Sequence, residues 1–211
     1  MSADPRPAGD VCSPGTARVI RRLCVFCGSS SGLRPEYDAA AAQFGRTLAR
    51  RGIALVYGGA RVGLMRALAD AVLHGGGHAI GVMPELLVHR EIAHSGLTEL
   101  RVVGSMHERK ATMAELADAF VLLPGGFGSW EEFCEIVTWA HLGIHTKPCG
   151  LLNVSNYYSS LLALAEHAVA EGFVRATHQQ AIIVEEDPDR LLDRLNEAGT
   201  LTEYKWTEPA T

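Results

Sequence analysis

The chain has 211 residues, of which 47% are hydrophobic and 20% charged, a balance that suits one globular domain with a core needing no staples. A formal net charge of −5 and a pI near 6.0 argue against a nucleic-acid binder working through bulk positive charge. Five cysteines, odd in number and sparse, make no disulfide framework and point to a reducing, cytoplasmic compartment, and no apolar run approaches the ~18 residues of a membrane span.

The first 18 residues are rich in Pro, Gly and small polar residues and lack the apolar stretch of a signal peptide, so they are expected to form a tail. From Val19 the pattern becomes regular. "IRRLCVFCGSS" is a short apolar strand ending in a Gly/Ser turn, and "PEYDAAAAQFGRTLARRG" is an alanine-rich helix stopping at Gly52. "CVFC" is formally a CxxC. It lies inside a strand, with no second pair for zinc and no helix start to make it reactive, so its thiols read as structural.

"IALVYGG" is the second strand, "VGLMRALADAVLHGGG" a helix, "HAIGVMP" the third strand and "LTELRVV" the fourth. "SMHERKATMAELADA" is a helix, followed by the strand "AFVLLPGG" and a helix from about Trp130 to Leu142. The strand "KPCGLLN", the helix "YYSSLLALAEHAVAEG", the strand "AIIVEE" and the helix "DPDRLLDRLNEA" complete one domain over residues 19–199, and 200–211 read as a second tail. Strands apolar throughout and separated by amphipathic helices predict a doubly wound α/β fold, a parallel sheet covered on both faces. In such folds ligands sit beyond the carboxyl ends of the strands, where the strand order reverses.

Three Gly-rich turns follow strands, "CGSSSG", "YGGARVG" and "PGGFG", and should gather on that edge. Each is accounted for by a tight strand-to-helix turn. Together, with Gly58, Gly59, Gly125, Gly126, Gly128 and Ser129 offering backbone amides, they favour a phosphate or nucleotide. No Gly-Lys-Ser/Thr follows any of them, and "GFGSWE" has Glu131 where a dinucleotide fingerprint needs its third glycine.

Two charged groups complicate that picture. In "SMHERK", Ser105 and Glu108 form a capping box that starts a helix near Met106. Arg109 and Lys110 then fall near the positive end of the helix dipole, either as a solvated pair balanced by Glu108 or Glu115, or as partners of an anion. In "PGGFGSWEE", Ser129 and Glu132 again fit a capping box, which would explain Glu132 through stability alone. The other reading sets Glu132 against a sugar, where it stabilises positive charge or orients water. The residue pattern leaves both pairs open.

"PGGFGSWEE" resembles the P-G-G-x-G-T-x-x-E motif of the Lonely Guy family of cytokinin-activating phosphoribohydrolases, formerly labelled lysine decarboxylase-like. "SMHERK", "YGG..VGLM", "TWAHLGIHTKP" and "GLLNVSNYY" match the same family in order, from about Val19 to Asn196. The resemblance implies a Rossmann-like fold, commonly homodimeric. It implies hydrolysis of N6-modified adenosine 5′-monophosphates to free base and ribose 5-phosphate, without metal or organic cofactor. Carried over by motif, Arg109 and Glu132 would be the catalytic pair. Glu91, Met106, Lys110, Gly126, Phe127, Gly128, Ser129, Trp130, Glu131 and Thr138 would contact the nucleotide. Ser129 stands where the family has Thr, Ala60 where a third glycine is frequent, and Arg66 where Gly is common. The rival expectation is a non-catalytic nucleotide carrier on the same fold. Decarboxylation through a Schiff-base lysine is disfavoured, since only Lys110 of three lysines falls near the expected site.

Overall fold

The structure, a computed structural model, describes residues 19–88 and 93–199; the two expected tails and Glu91 lie outside the described residues. The chain alternates strand and helix: β1 (Arg22–Phe26), α1 (Pro35–Arg51), β2 (Ala54–Tyr57), α2 (Gly63–His74), β3 (Ala79–Pro84), α3 (Glu85–Val88), β4 (Glu99–Val103) and α4 (Met106–Leu116). It continues with β5 (Ala119–Leu122), α5 (Phe127–His141), β6 (Cys149–Leu152), a 3₁₀ turn (Val154–Asn156), α6 (Ser159–Ala170), α7 (Ala176–Gln180), β7 (Ile182–Glu185) and α8 (Pro188–Glu197). The strands form one parallel sheet in the order β4-β3-β2-β1-β5-β6-β7. The expected doubly wound architecture is therefore present. The order reverses between β1 and β5, which pair in register from Leu23↔Ala119 to Phe26↔Leu122.

The two-residue period of the strands divides the core. Leu23, Val25 and Cys27 join Leu55, Tyr57, Val121 and Leu123 on the face covered by α1, α2 and α8. Cys24 and Phe26 join Val56, Phe120 and Leu122 on the opposite face, with Met113 of α4 and Phe133 and Ile136 of α5. The two thiols of "CVFC" thus point into different cores, and burial pushes both upward, each with a further push from Glu132. They are structural thiols, as the strand reading expects.

Three features depart from the expected elements. Helices α3 and α7 and the 3₁₀ turn are too short to show a helical period. Helix α5 begins at Phe127, three residues before the predicted start. Helix α6 buries none of its residues although it is strongly apolar, and Leu164 is 62% exposed. No helix among the described residues is long and apolar enough to cross a membrane.

Candidate active site

The strand reversal brings two of the glycine turns together directly. The Gly28 N–H, just after β1, donates to the Pro124 carbonyl after β5 (2.9 Å), and Leu64 N–H of α2 donates back to Gly28 O (3.0 Å). All three turns therefore share one edge of the sheet.

Helix α4 starts as its sequence predicts. Ser105 Oγ accepts from Glu108 N–H at 3.1 Å, while the Glu108 carboxylate reaches back to Gly104 N–H at 2.7 Å. This fixes the next two residues toward α5 rather than toward solvent. Arg109 Nη2 lies 3.3 Å from Glu132 Oε1, both side chains only 11% exposed. Lys110 Nζ, also buried, meets Glu131 Oε1 at 2.6 Å and Glu135 Oε2 at 2.9 Å. Arg109 and Lys110 are thus neither solvated nor balanced by Glu108 or Glu115; their partners come from α5.

Room for Arg109 comes from the β2–α2 turn. A side chain at Gly58 would run into the guanidinium, so the absent Cβ is what lets Arg109 cross there. Gly58 and Gly59 are both buried, and the Gly59 carbonyl is taken by His94 N–H at 2.9 Å. This turn supports Arg109. Ala60 has no left-handed backbone, since Ser155 and Asn156 are the only non-glycine residues with positive φ among those described. Alanine therefore fits without strain. Arg66 lies 3.7 Å from Asp70, which also bonds His94 at 3.0 Å, so this departure is absorbed into a surface ion pair.

The expected cap at Ser129 is corrected by the structure. Gly126 is the N-cap of α5, which places Ser129 third in the helix and Glu132 sixth. Ser129 is buried with its hydroxyl packed against Gly125, where no Cβ would fit. Glu132 is therefore one turn too deep to cap, and it faces Arg109. Burial raises the Glu132 pKa above the usual carboxylate range; Arg109 opposes the rise, while Glu131 adds to it. The first intrahelical bond is Trp130 N–H to Gly126 O (3.1 Å), and no side chain caps the helix. The amides of Phe127, Gly128 and Ser129 are the donors that an α-helix leaves without internal partners.

The remaining candidates fall into two groups. Met106 Sδ lies 3.8 Å from Arg109 Nη1, and Phe127 and Trp130 meet edge to face at 5.1 Å beside the turn. Thr138 lies further along α5, its hydroxyl donating to Cys134 O at 2.7 Å. Two tyrosines beside the turn had no assigned role in the sequence: Tyr157 donates to Gly125 O (2.7 Å) and Tyr158 to Leu123 O (2.8 Å). Their only signal was the "NYY" of the matched "GLLNVSNYY".

Lys110 does not have the state of a Schiff-base nucleophile. Burial works to lower its pKa, but the hydrogen bonds to Glu131 and Glu135 outweigh it and hold the ammonium protonated. Lys147 serves the end of α4, donating to Ala114 O at 2.7 Å.

A family model described as possible lysine decarboxylase matches residues 65–195. A probable cytokinin riboside 5′-monophosphate phosphoribohydrolase of Oryza sativa subsp. japonica is 52% identical over 178 residues, 84% of this chain and 78% of that protein. A cytokinin riboside 5′-monophosphate phosphoribohydrolase of Arabidopsis thaliana is 51% identical over 178 residues, 84% of this chain and 82% of that protein. Among solved structures, the molybdenum cofactor binding protein of the phototrophic bacterium Rippkaea orientalis matches with a TM-score of 0.62 at 20% identity, over 82% of this chain and 93% of that one. At that identity the likeness is one of fold.

Proposed function

This chain belongs to the family of the cytokinin riboside 5′-monophosphate phosphoribohydrolases, and from that premise we propose that it hydrolyses N6-modified adenosine 5′-monophosphates, and AMP, at the N-glycosidic bond. The products are the free base and ribose 5-phosphate. The observation that carries the reading is the buried Arg109–Glu132 contact at 3.3 Å, set one turn from a glycine-rich helix start.

In this scheme the 5′-phosphate lies against the amides of Gly126, Phe127, Gly128 and Ser129, where orphan donors and the helix dipole favour an anion. Glu132 is three residues beyond Ser129, about 4.5 Å along the axis at 1.5 Å per residue, so it meets the sugar rather than the phosphate. The C1′–N bond breaks and its electron pair leaves with the purine. The ribose carries the resulting positive charge, which the Glu132 carboxylate stabilises. Water adds to C1′, giving its proton to Glu132, and the purine takes up a proton on leaving. Arg109 holds Glu132 ionised and positions the nucleotide. Lys110, Met106, Phe127, Trp130, Glu131 and Thr138 are proposed substrate contacts; Glu91 joins them on the resemblance alone.

The test is incubation with isopentenyladenosine monophosphate and with AMP, followed by chromatography for base and ribose 5-phosphate. Release of base from either is expected; no release above background from both would leave the carrier reading in its place.

The assembly and compartment belong to the same proposal. The apolar, uncovered α6 suits a homodimer interface, which light scattering on the purified chain would show as twice the chain mass. Buried, unpaired thiols at Cys24, Cys27 and Cys149 suit the reducing cytoplasm.

A further inference from the structure

Three successive carbonyls before α5 are each held by a different donor. Tyr158 Oη donates to Leu123 O (2.8 Å), Gly28 N–H to Pro124 O (2.9 Å) and Tyr157 Oη to Gly125 O (2.7 Å). In a planar trans peptide the carbonyl oxygen and the following N–H point in opposite directions. Holding the Gly125 oxygen toward Tyr157 therefore aims the Gly126 N–H away from Tyr157, at the start of a helix that no side chain caps. The two tyrosines differ in what lies beyond them. Behind Leu123 comes Pro124, which has no N–H, so holding the Leu123 carbonyl aims no donor; the Tyr158 hydroxyl instead meets the Gly125 amide directly.

Tyr157 is itself held with care. It follows Ser155 (φ 50°) and Asn156 (φ 62°), two consecutive non-glycine residues in the left-handed region. Such conformations persist where the surroundings over-determine them, and they concentrate at ligand sites. Here the turn is pinned by buried Asn153, whose N–H donates to Glu185 O (2.8 Å) and whose Oδ1 accepts from Tyr158 N–H (2.8 Å). The Tyr157 ring packs edge-on against Tyr37 at 5.4 Å and Tyr158 at 4.8 Å. Its hydroxyl thus reaches Gly125 from a fixed ring rather than from a free side chain.

We propose that Tyr157 is a positioning residue that sets the Gly125–Gly126 peptide so that the Gly126 amide donates to the substrate's 5′-phosphate, giving the enzyme its preference for nucleotides over nucleosides. The inference rests on the phosphoribohydrolase reading above. Tyr157 touches neither the sugar nor the base in this role, so its loss falls on recognition of the phosphate and not on bond cleavage.

The experiment compares the intact chain with Tyr157→Phe and Tyr158→Phe, each lacking one hydroxyl. For Tyr157→Phe, the ratio of kcat/KM for isopentenyladenosine monophosphate to that for isopentenyladenosine is expected to fall at least ~10-fold, the scale of one hydrogen bond to a charged group, mainly through KM. For Tyr158→Phe the melting temperature should drop and that ratio should fall clearly less than for Tyr157→Phe, because its buried hydroxyl holds the Leu123 carbonyl and meets the Gly125 amide and Trp130 without fixing the Gly125 carbonyl. Calorimetric titration with AMP gives a second readout independent of turnover, with binding ~10-fold weaker for Tyr157→Phe. An unchanged ratio and unchanged AMP affinity in Tyr157→Phe overturn the proposal. So does an equal loss toward nucleotide and nucleoside, which would mark a general structural role. Absence of base release by the wild-type chain overturns the phosphoribohydrolase reading instead, and the AMP titration then still decides whether Tyr157 shapes the phosphate site.

Discussion

Residues 109 and 110 are neighbours on α4, and they pair with neighbours on α5, yet the two ion pairs are of different kinds. Lys110 is held at 2.6 and 2.9 Å by two carboxylates, and Glu131 opens to solvent on its far side. Arg109 meets Glu132 at 3.3 Å through one nitrogen, its Nε is buried without a hydrogen-bond partner, and the carboxylate has its pKa raised by burial. Lys110 has two carboxylate partners and joins two helices. Arg109 has one carboxylate partner and a buried Nε left unmet, a costly arrangement that the proposed mechanism puts to use. Under the proposed mechanism, proximity in sequence hides a division between holding and reacting.

Three changes test that division. The largest effect is expected from Glu132→Gln, which should lower kcat/KM at least ~100-fold, the scale of a general base or electrostatic group, while circular dichroism and the melting transition show a retained fold. Near-wild-type turnover would return Glu132 to a structural part. Lys110→Met should act the other way round. Breaking its pair with partly exposed glutamates should cost about 1–2 kcal/mol, between the values for surface and buried pairs, and lower Tm by a few degrees. Its loss of turnover should stay well below that of Glu132→Gln. A Lys110→Met rate as low as that of Glu132→Gln would erase the distinction.

The smallest effect concerns pH. In the proposed mechanism Glu132 acts as a carboxylate, so kcat/KM should fall as pH drops through its raised pKa, placing the acid limb above the ordinary glutamate value of about 4.3. Glu131 is one source of that elevation. Glu131→Gln should therefore move the acid limb to lower pH, by a fraction of a unit for a partly screened charge. The substrate phosphate titrates equally in both proteins, so the difference between their profiles isolates the enzyme. A limb that stays in place, or moves upward, would mean that Glu131 does not act on the titrating group.

How much of this was legible in the sequence follows the range of the interactions. Strands and long helices were, because apolar periodicity is local: "LCVFC" alternates between two cores in the structure as in the pattern. The start of α4 was legible too, because Ser105 and Glu108 satisfy each other within one turn. The same Ser-x-x-Glu spelling failed at Ser129. There the decisive neighbour is Gly125, whose missing side chain admits the Ser129 hydroxyl and draws the helix back to Phe127. The Arg109–Glu132 pairing was not legible from spacing at all, since it joins two helices across the sheet reversal; it came from the resemblance. Tyr157 left no trace in periodicity, because its role depends on a hydrogen bond to a carbonyl 32 positions away.

The turn into α5 also separates two duties within single residues. Phe127 lends its main chain to the helix start, while its ring stands 83% exposed above the site. In the proposed binding mode, anchoring of the ligand's constant part is written in backbone, which side-chain exchange leaves unchanged. In that mode the variable part of a ligand would meet a ring whose size and polarity can be replaced at little structural cost. That makes position 127 a natural dial for retuning selectivity, in divergence or by design, with the reactive chemistry left intact beneath it.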